Sequence, residues 1–571
     1  MARMPIGRLM GWLAAQHPDR PAITFEGQTL TRLELEQRTN RLARAYQHYG
    51  VGQDDLVTIA LPNGIEFYEA ALAVWKLGAT PQPVSARLPR LEREAIVELA
   101  NPALVVGAES GSLGARPVLA AGFTPAPSLS DVPLPERTAR YWKAPTSGGS
   151  TGRPKLIVAE APGVFDPEQE LFPHLPNRTH LVAGPLYHNA AFANSMLALF
   201  LGNHLVVLPR FDALRTLECL ALYRIDLVVL VPTMMQRIWR LGKAVHTQYD
   251  LSALRLMVHM SAPCPPWLKE AWIAWLGPER VHELYGGTEG LSYTWITGTE
   301  WLSHRGSVGK PMPGGQMQIR DAQGHVLPPG AIGEIYMKPD AGLGTTYHYI
   351  GAESRRVDDW ESLGDLGWMD EEGYLYLADR RTDMILRGGA NIYPAEVEAA
   401  IDAHPQVRSS AVIGLPDEDL GQRVHAIVDA PGGSRTPSCW RIWRSGWYAI
   451  RSRRASSMFQ NRYVTTMGRS GGLPCGISGS LPARLPLTPQ AHRQRPRRPS
   501  GSCGAHSGAL PSNVRRLPPR RSALPSGRDV QWVNSHLGSC AGAYLRYTER
   551  SPDGMYTVVV RKRLPGLDEC S

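Results

Sequence analysis

The chain changes character at about Ala430, and that break limits what can fold. Before it, apolar residues recur at strand-like and helix-like spacings. Beyond it the period is lost. Residues 431–550 contain 20 Arg and no Lys, only Asp529 and Glu549 as acids, and dense Pro, Ser and Gly, as in Arg495-Pro-Arg-Arg-Pro-Ser500. A stretch with so few aliphatic clusters cannot bury enough surface to offset chain entropy, which predicts a disordered tail over 431–571. Charge divides at the same place. Residues 431–571 hold 23 Lys+Arg and 5 Asp+Glu, leaving 38 and 47 of the chain's 61 and 52 for residues 1–430. The net charge of +9 therefore belongs to the tail, and the first 430 residues are acidic. A frameshift in a G+C-rich gene would produce such a segment, and an uninterrupted frame on resequencing would reject that origin. Clustered arginines can hold nucleic-acid phosphates nonspecifically. No reader module accompanies them here, so no nucleic-acid partner is expected.

Only Cys219 and Cys264 fall in the first 430 residues, which argues against a disulfide scaffold and suits a reducing compartment. The apolar residues near the N-terminus, Met10, Trp12, Leu13 and Ala14, are too few and too interrupted for a secretory segment. No run approaches the ~20 apolar residues of a membrane span. These features predict a soluble, cytoplasmic protein.

Within residues 1–430 short apolar runs alternate with helical patterns. Pro21–Phe25 and 27–31 read as a hairpin, and Thr31 with Glu34 has capping-box spacing for a helix to about Tyr46. Strands are expected at 55–60, 78–84, 103–106, 179–183, 205–208, 226–231 and 254–259, with a helix over 63–76. That order predicts α/β layers with parallel sheet. From Val308 to Asp379, short strands with Gly and Pro turns predict a small β unit. Pro394 then opens a helix to Ala403, and 410–414 with 423–428 read as a strand pair. The domains expected are 1–380, then 381–430 as the start of a small α+β domain that is truncated or scrambled after about residue 430.

The sharpest chemical signal is Thr146-Ser-Gly-Gly-Ser-Thr-Gly-Arg-Pro-Lys155. Glycines let backbone N–H groups approach phosphate oxygens, hydroxyls donate to them, and the lysine adds charge. It is not a Walker A loop, because Arg153-Pro154 separate the last glycine from the lysine. The string resembles the phosphate loop of the adenylate-forming (AMP-binding) superfamily, which includes acyl-CoA synthetases, peptide-synthetase adenylation domains and luciferases. Four more segments resemble that family's motifs in its order. They are Pro185-Leu-Tyr-His-Asn189, Tyr285-Gly-Gly-Thr-Glu-Gly290, Leu363-Gly-Asp-Leu-Gly367, and Asp379-Arg-Arg-Thr-Asp383 followed by Arg387-Gly-Gly-Ala-Asn-Ile-Tyr-Pro-Ala-Glu-Val-Glu398. The resemblance covers about residues 1–429 and is most like the branch of 4-coumarate, bile-acid and fatty-acid CoA ligases.

The resemblance implies an AMP-forming acid–CoA ligase that makes an acyl-adenylate and then a thioester, with ATP, Mg2+ and CoA as cofactor and co-substrates. Thr146, Ser147, Gly148, Gly149, Ser150, Thr151, Gly152 and Lys155 would then hold the phosphates. Tyr285 and Gly286, with Ala262 and Pro263, would contact adenine. Thr288 would donate to phosphate, Glu289 would hold Mg2+, and Asp365 would accept from the ribose hydroxyls. Arg380 would reach ribose or phosphate, and His188 would shape the acid pocket. Gly388 and Gly389 would lie on the pantetheine path after a domain swing about a hinge at Thr382. Pocket walls from Tyr187 to Ala190, Val231 to Met235 and Leu284 to Gly287 are mostly apolar, which favours a medium or bulky hydrophobic acid. No Asp or Lys is placed there to meet an amino acid's ammonium. The family also carries a catalytic lysine some way beyond the Gly388-Gly389 loop, and residues 431–550 contain none. That absence keeps open an alternative, a nucleotide-binding relative with impaired catalysis.

Overall fold

The computed structural model describes residues 3–109, 116–148, 154–380, 383–387, 390–402, 407, 409–417 and 421–429, and three strands further along. Residues 1–447 and 448–571 form two separate units. The expected loop residues Gly149, Ser150, Thr151 and Gly152, the hinge position Thr382, and Gly388 and Gly389 lie outside the described residues.

The first unit is α/β, as the alternating pattern implies. A parallel run joins Pro21–Phe25, His204–Val207, Thr179–Val182, Leu227–Leu230, Leu256–Met260 and Val281–Gly286 in that spatial order. These strands are rich in Val, Leu and Ile, the composition of strands covered on both faces. The small β unit expected over 308–379 is not separate. Tyr293–Thr297 and Ser307–Pro311 pair antiparallel onto the parallel run, and Leu375–Arg380, Trp360–Met369, Gly333–Pro339 and Gly315–Arg320 extend it into one fourteen-stranded sheet. Periodicity marks strands but not their neighbours, so this continuity is a property of the fold alone. A second parallel sheet holds Thr80–Pro83, Leu56–Ile59, Leu104–Val106 and Val118–Leu119.

Between the two sheets runs a three-stranded antiparallel ribbon of Thr146–Gly148, Pro154–Ala159 and Tyr347–Ile350. Its central strand has two faces. Leu156 and Val158 pack with Ala100 and Ala144, whereas Ile157 packs with Leu291 and Tyr347 under the large sheet. The capping box of Thr31 and Glu34 is formed, and it starts the Arg32–His48 helix. The helix Ile6–Gln16 buries Ile6, Leu9, Met10, Leu13 and Ala14, a full helical stripe in the segment considered above only as a leader. Near the C-terminal end of this unit, Pro394–Asp402 is helical. The strands Ser409–Asp417 and Gly421–Asp429 pair antiparallel. The guanidinium of Arg240 donates to the Val407 carbonyl. No helix among the described residues is long and apolar enough to cross a membrane.

In the second unit, Asp529–Val533, Tyr544–Ser551 and Gly554–Val560 form a three-stranded antiparallel sheet. These strands hold five of the seven Val and three of the five Tyr of residues 431–571, residue types that favour strands. Most of the tail for which disorder is expected lies outside the described residues.

Buried histidines give the first unit a predicted acid limit. His174, His180 and His259 are buried, and each has a ring nitrogen without a hydrogen-bond partner among the described residues. Burial holds the His174 and His204 rings down to about 4 and those of His180 and His259 well below their usual range. A depressed folded-state pKa means the unfolded chain binds protons first. Stability is therefore whole above about pH 6.5 and is lost as the pH falls toward 4, by up to ~1.4 kcal/mol per pH unit for each such ring. Urea midpoints measured at intervals between pH 7 and 4 should fall steadily; a flat profile would contradict neutral buried rings.

Candidate active site

Three strand ends converge over the inner face of the ribbon. The strand Val281–Gly286 ends in Tyr285 and Gly286, and the chain turns through Gly287, Thr288, Glu289 and Gly290 before re-entering the sheet at Tyr293. The turn needs its glycines. Gly290 has φ +69, and a Cβ on Gly287 would collide with Leu363 and stand 2.7 Å from Glu289 Oε2. This tight turn presents Tyr285 on one side and the buried Glu289 on the other.

Each side meets a second motif. The Tyr285 hydroxyl donates to Asp365 Oδ2 at 2.8 Å, and Asp365 lies in register with Arg380 on the neighbouring strand. Glu289 Oε1 accepts from the Tyr349 hydroxyl at 2.6 Å and lies 3.6 Å from the Lys155 ammonium. Lys155 Nζ sits 3.8 Å from the centroid of the Tyr349 ring, a cation–π contact. Burial first, then the Glu289 charge, pushes the Tyr349 hydroxyl well above its usual range, so it stays a donor. The ribbon thus delivers its lysine to the same turn that holds Tyr285, and Asp365 closes the far side. Thr146, at the other end of the loop, accepts through Oγ1 from Gln82 Nε2 at 3.0 Å, and Ser147 is in register with Lys155 across the hairpin. Gly148 and Pro154, at the two ends of the glycine-rich segment, are thus in register with each other, one residue from the Lys155 that reaches Glu289.

The remaining expected residues lie around this centre. Thr288 is half-buried on the turn. Ser261, Ala262 and Pro263 are exposed just after Leu256–Met260, the strand beside Val281–Gly286, and Ser261 has φ +72. His188 caps the Asn189–Phe200 helix and its ring centroid is 4.4 Å from that of Tyr187. Two residues of this region carry no motif signal. Tyr349 is linked to Glu289 only through the ribbon's third strand. Lys143, three positions before the loop, has an ammonium that donates to Asn189 Oδ1 at 2.6 Å and is only 6 % exposed. The available sign was a lone charge in the apolar stretch Tyr141 to Pro145.

Among the described residues no group of three or more His, Cys, Asp or Glu side chains could hold a metal ion. A single carboxylate such as Glu289 nevertheless fits Mg2+, which keeps waters and is usually bound through one or two carboxylates plus substrate phosphates.

Most of the chain is similar to known proteins. The family model described as AMP-binding enzyme matches residues 11–348, and that of the AMP-binding enzyme C-terminal domain matches residues 396–440. A 2-succinylbenzoate–CoA ligase of Bacillus cereus is 29% identical over 431 residues, 73% of this chain and 86% of that protein. The fatty acid–[acyl-carrier-protein] ligase ScoC of Streptomyces coeruleorubidus is 29% identical over 458 residues, 74% of this chain and 86% of its own length. The o-succinylbenzoate CoA synthetase MenE of Bacillus subtilis has been solved with its acyl-adenylate intermediate OSB-AMP, with a TM-score of 0.66 at 24% identity over 77% of this chain and 92% of that one. Its structure with ATP and magnesium ion gives a TM-score of 0.65 at 24% identity, over 77% and 93%. At that identity the likeness is one of fold.

Proposed function

We propose that this chain, which belongs to the AMP-binding enzyme family, activates a carboxylic acid with ATP and passes the acyl group to the thiol of CoA. The observation that supports this most directly is the convergence of Lys155, Tyr349 and Glu289 on one side of a turn whose other side joins Tyr285 to Asp365. A nucleotide laid across that turn would set its ribose at Asp365, its adenine along Tyr285, Gly286, Ala262 and Pro263, and its phosphates between residues 146–155 and Glu289. Mg2+ on Glu289 would supply positive charge to those phosphates. A carboxylate oxygen of the acid then bonds to the α-phosphorus, the bond from that phosphorus to the bridging oxygen breaks, and pyrophosphate leaves with the electron pair. Lys155 and Thr288 would meet the developing negative charge, so positioning and electrostatics carry most of the rate. In the second step the CoA sulfur bonds to the acyl carbon and AMP leaves, with Gly388 and Gly389 lining the approach and His188 beside the acid. Residues 1–380 form the nucleotide domain and 381–430 begin a lid in this reading, which places the enzyme in the cytoplasm.

The walls near Tyr187 to Ala190 and Val231 to Met235 suit an aromatic or other bulky apolar acid, and the Bacillus relative named above makes 2-succinylbenzoate the first to try. The absence of lysine from 431–550 favours a second reading, nucleotide binding with impaired turnover. ATP–pyrophosphate exchange over 2-succinylbenzoate, 4-coumarate, fatty and steroid acids separates the two. Exchange with one class of acid supports the ligase. Tight ATP binding with no exchange for any acid supports the impaired relative. No ATP binding would sink both.

A further inference from the structure

Lys143 is a buried cation that the reading above does not use, and unlike Lys76 and Lys269 it has no carboxylate partner among the described residues. The 143–148 segment runs antiparallel to Pro154–Ala159. Ser147 pairs with Lys155, and the amides of Ile157 and Ala159 donate to the carbonyls of Pro145 and Lys143 at 2.9 and 3.0 Å. That register sets residues 143 and 155 on one face of the ladder, because alternate residues of a strand share a face. Lys155 ends at Glu289; Lys143 ends at the other edge of the same face, where its ammonium meets Asn189 Oδ1 and lies 4.9 Å from the Trp142 ring centroid. Both partners are neutral. Among the described residues no carboxylate stands within ion-pair distance, and an ammonium buried without an anion is costly. Asn189 opens the helix that follows His188, on the wall assigned to the acid. The cation therefore joins the ribbon that carries Lys155 to the helix start assigned to the acid.

We infer that Lys143 binds the reacting carboxylate of the acid and holds it beside the α-phosphate. This assignment rests on the ligase reading. The anion that enters completes an ion pair that the described residues do not supply, while Asn189 keeps the ammonium from turning away. The titratable group that acts on Lys143 is the Glu289 carboxylate on the turn, and His188 stands next in sequence to its partner Asn189. Burial lowers the ammonium to about 8 although the Glu289 charge opposes that fall. Below that pH Lys143 is charged, and above it the attraction for a carboxylate is lost.

The test uses the full chain and two probe acids, 2-succinylbenzoate and 4-coumarate, with calorimetric binding in the presence of AMP as a readout independent of turnover. Lys143→Gln should weaken binding of the acid by about tenfold or more, the size expected for one charge-assisted contact, and leave ATP affinity within about twofold. Lys143→Arg, charged at every accessible pH, should restore most of the affinity and keep it above about pH 8, where binding by the parent chain declines. Retained ATP affinity in Lys143→Gln also shows that the variant folds. Unchanged acid binding in that variant, an equal loss for ATP, or a pH profile that Lys143→Arg does not flatten would overturn the assignment alone. If neither acid binds, the acid that supports exchange in the screen above replaces them, and a parent chain that binds ATP but no acid of that screen overturns the ligase reading and this assignment with it.

Discussion

Asp365→Ala is expected to weaken ATP binding by about 30- to 1,000-fold. The size follows from the two charge-assisted hydrogen bonds that the proposed pose gives it to ribose hydroxyls, together about 2–4 kcal/mol after exchange with water. Asp365 is half-buried at a strand position and also accepts from Tyr285, so the substitution removes an anchor without opening a core cavity. The melting temperature should move little. Tyr285→Phe keeps the ring against adenine and removes only the hydroxyl that steers Asp365; a loss of no more than about fivefold is expected. Calorimetric titration with ATP checks both. An Asp365→Ala variant that binds ATP like the parent would put the sugar elsewhere and take the proposed nucleotide pose with it.

The second large effect is on stability. Lys269 on the Pro266–Leu276 helix donates to Glu283 Oε2 on the Val281–Gly286 strand at 2.5 Å, and both are buried. His259 Nε2 lies 3.7 Å from the same oxygen, and burial and the Lys269 charge keep its ring neutral. Removing one member of such a pair leaves the other charge without compensation. Lys269→Met should cost about 3–5 kcal/mol, read as a fall in the urea midpoint. The double variant Lys269→Met with Glu283→Leu should recover part of that loss, because neither charge then remains buried. A single-variant loss below about 1 kcal/mol would contradict a buried pair. Glu283 stands two residues before Tyr285, so the pair also fixes the strand end from which the nucleotide turn springs.

These two clusters show what could be read in advance. The Gly- and hydroxyl-rich string ending in Lys155 suggests phosphate contact by residue type alone, whereas Asp365, Tyr285 and Glu289 could be singled out only through the resemblance of their motifs to a family's ordered set. The parallel strands declare themselves as short runs of Val, Leu and Ile. Lys269, Glu283 and His259 carry no local sign, because each is an ordinary residue until a helix and two strands bring them together. Tyr349 reaches Glu289 because its strand joins the ribbon with Tyr349 192 positions beyond its in-register partner Ile157. The Ile6–Gln16 helix is a different case: its apolar stripe stands in the letters at the spacing of helical turns, and attention to a leader segment hid it.

The Pro154–Ala159 strand carries a last consequence. One side of it closes the joint between two sheets through Leu156 and Val158, while on the other Ile157 packs under the large sheet and Lys155 reaches Glu289. Genetic variation at Lys155 and at Leu156 is thereby under different selection, for charge at the one and for fit at the other, with a single peptide bond between the two regimes.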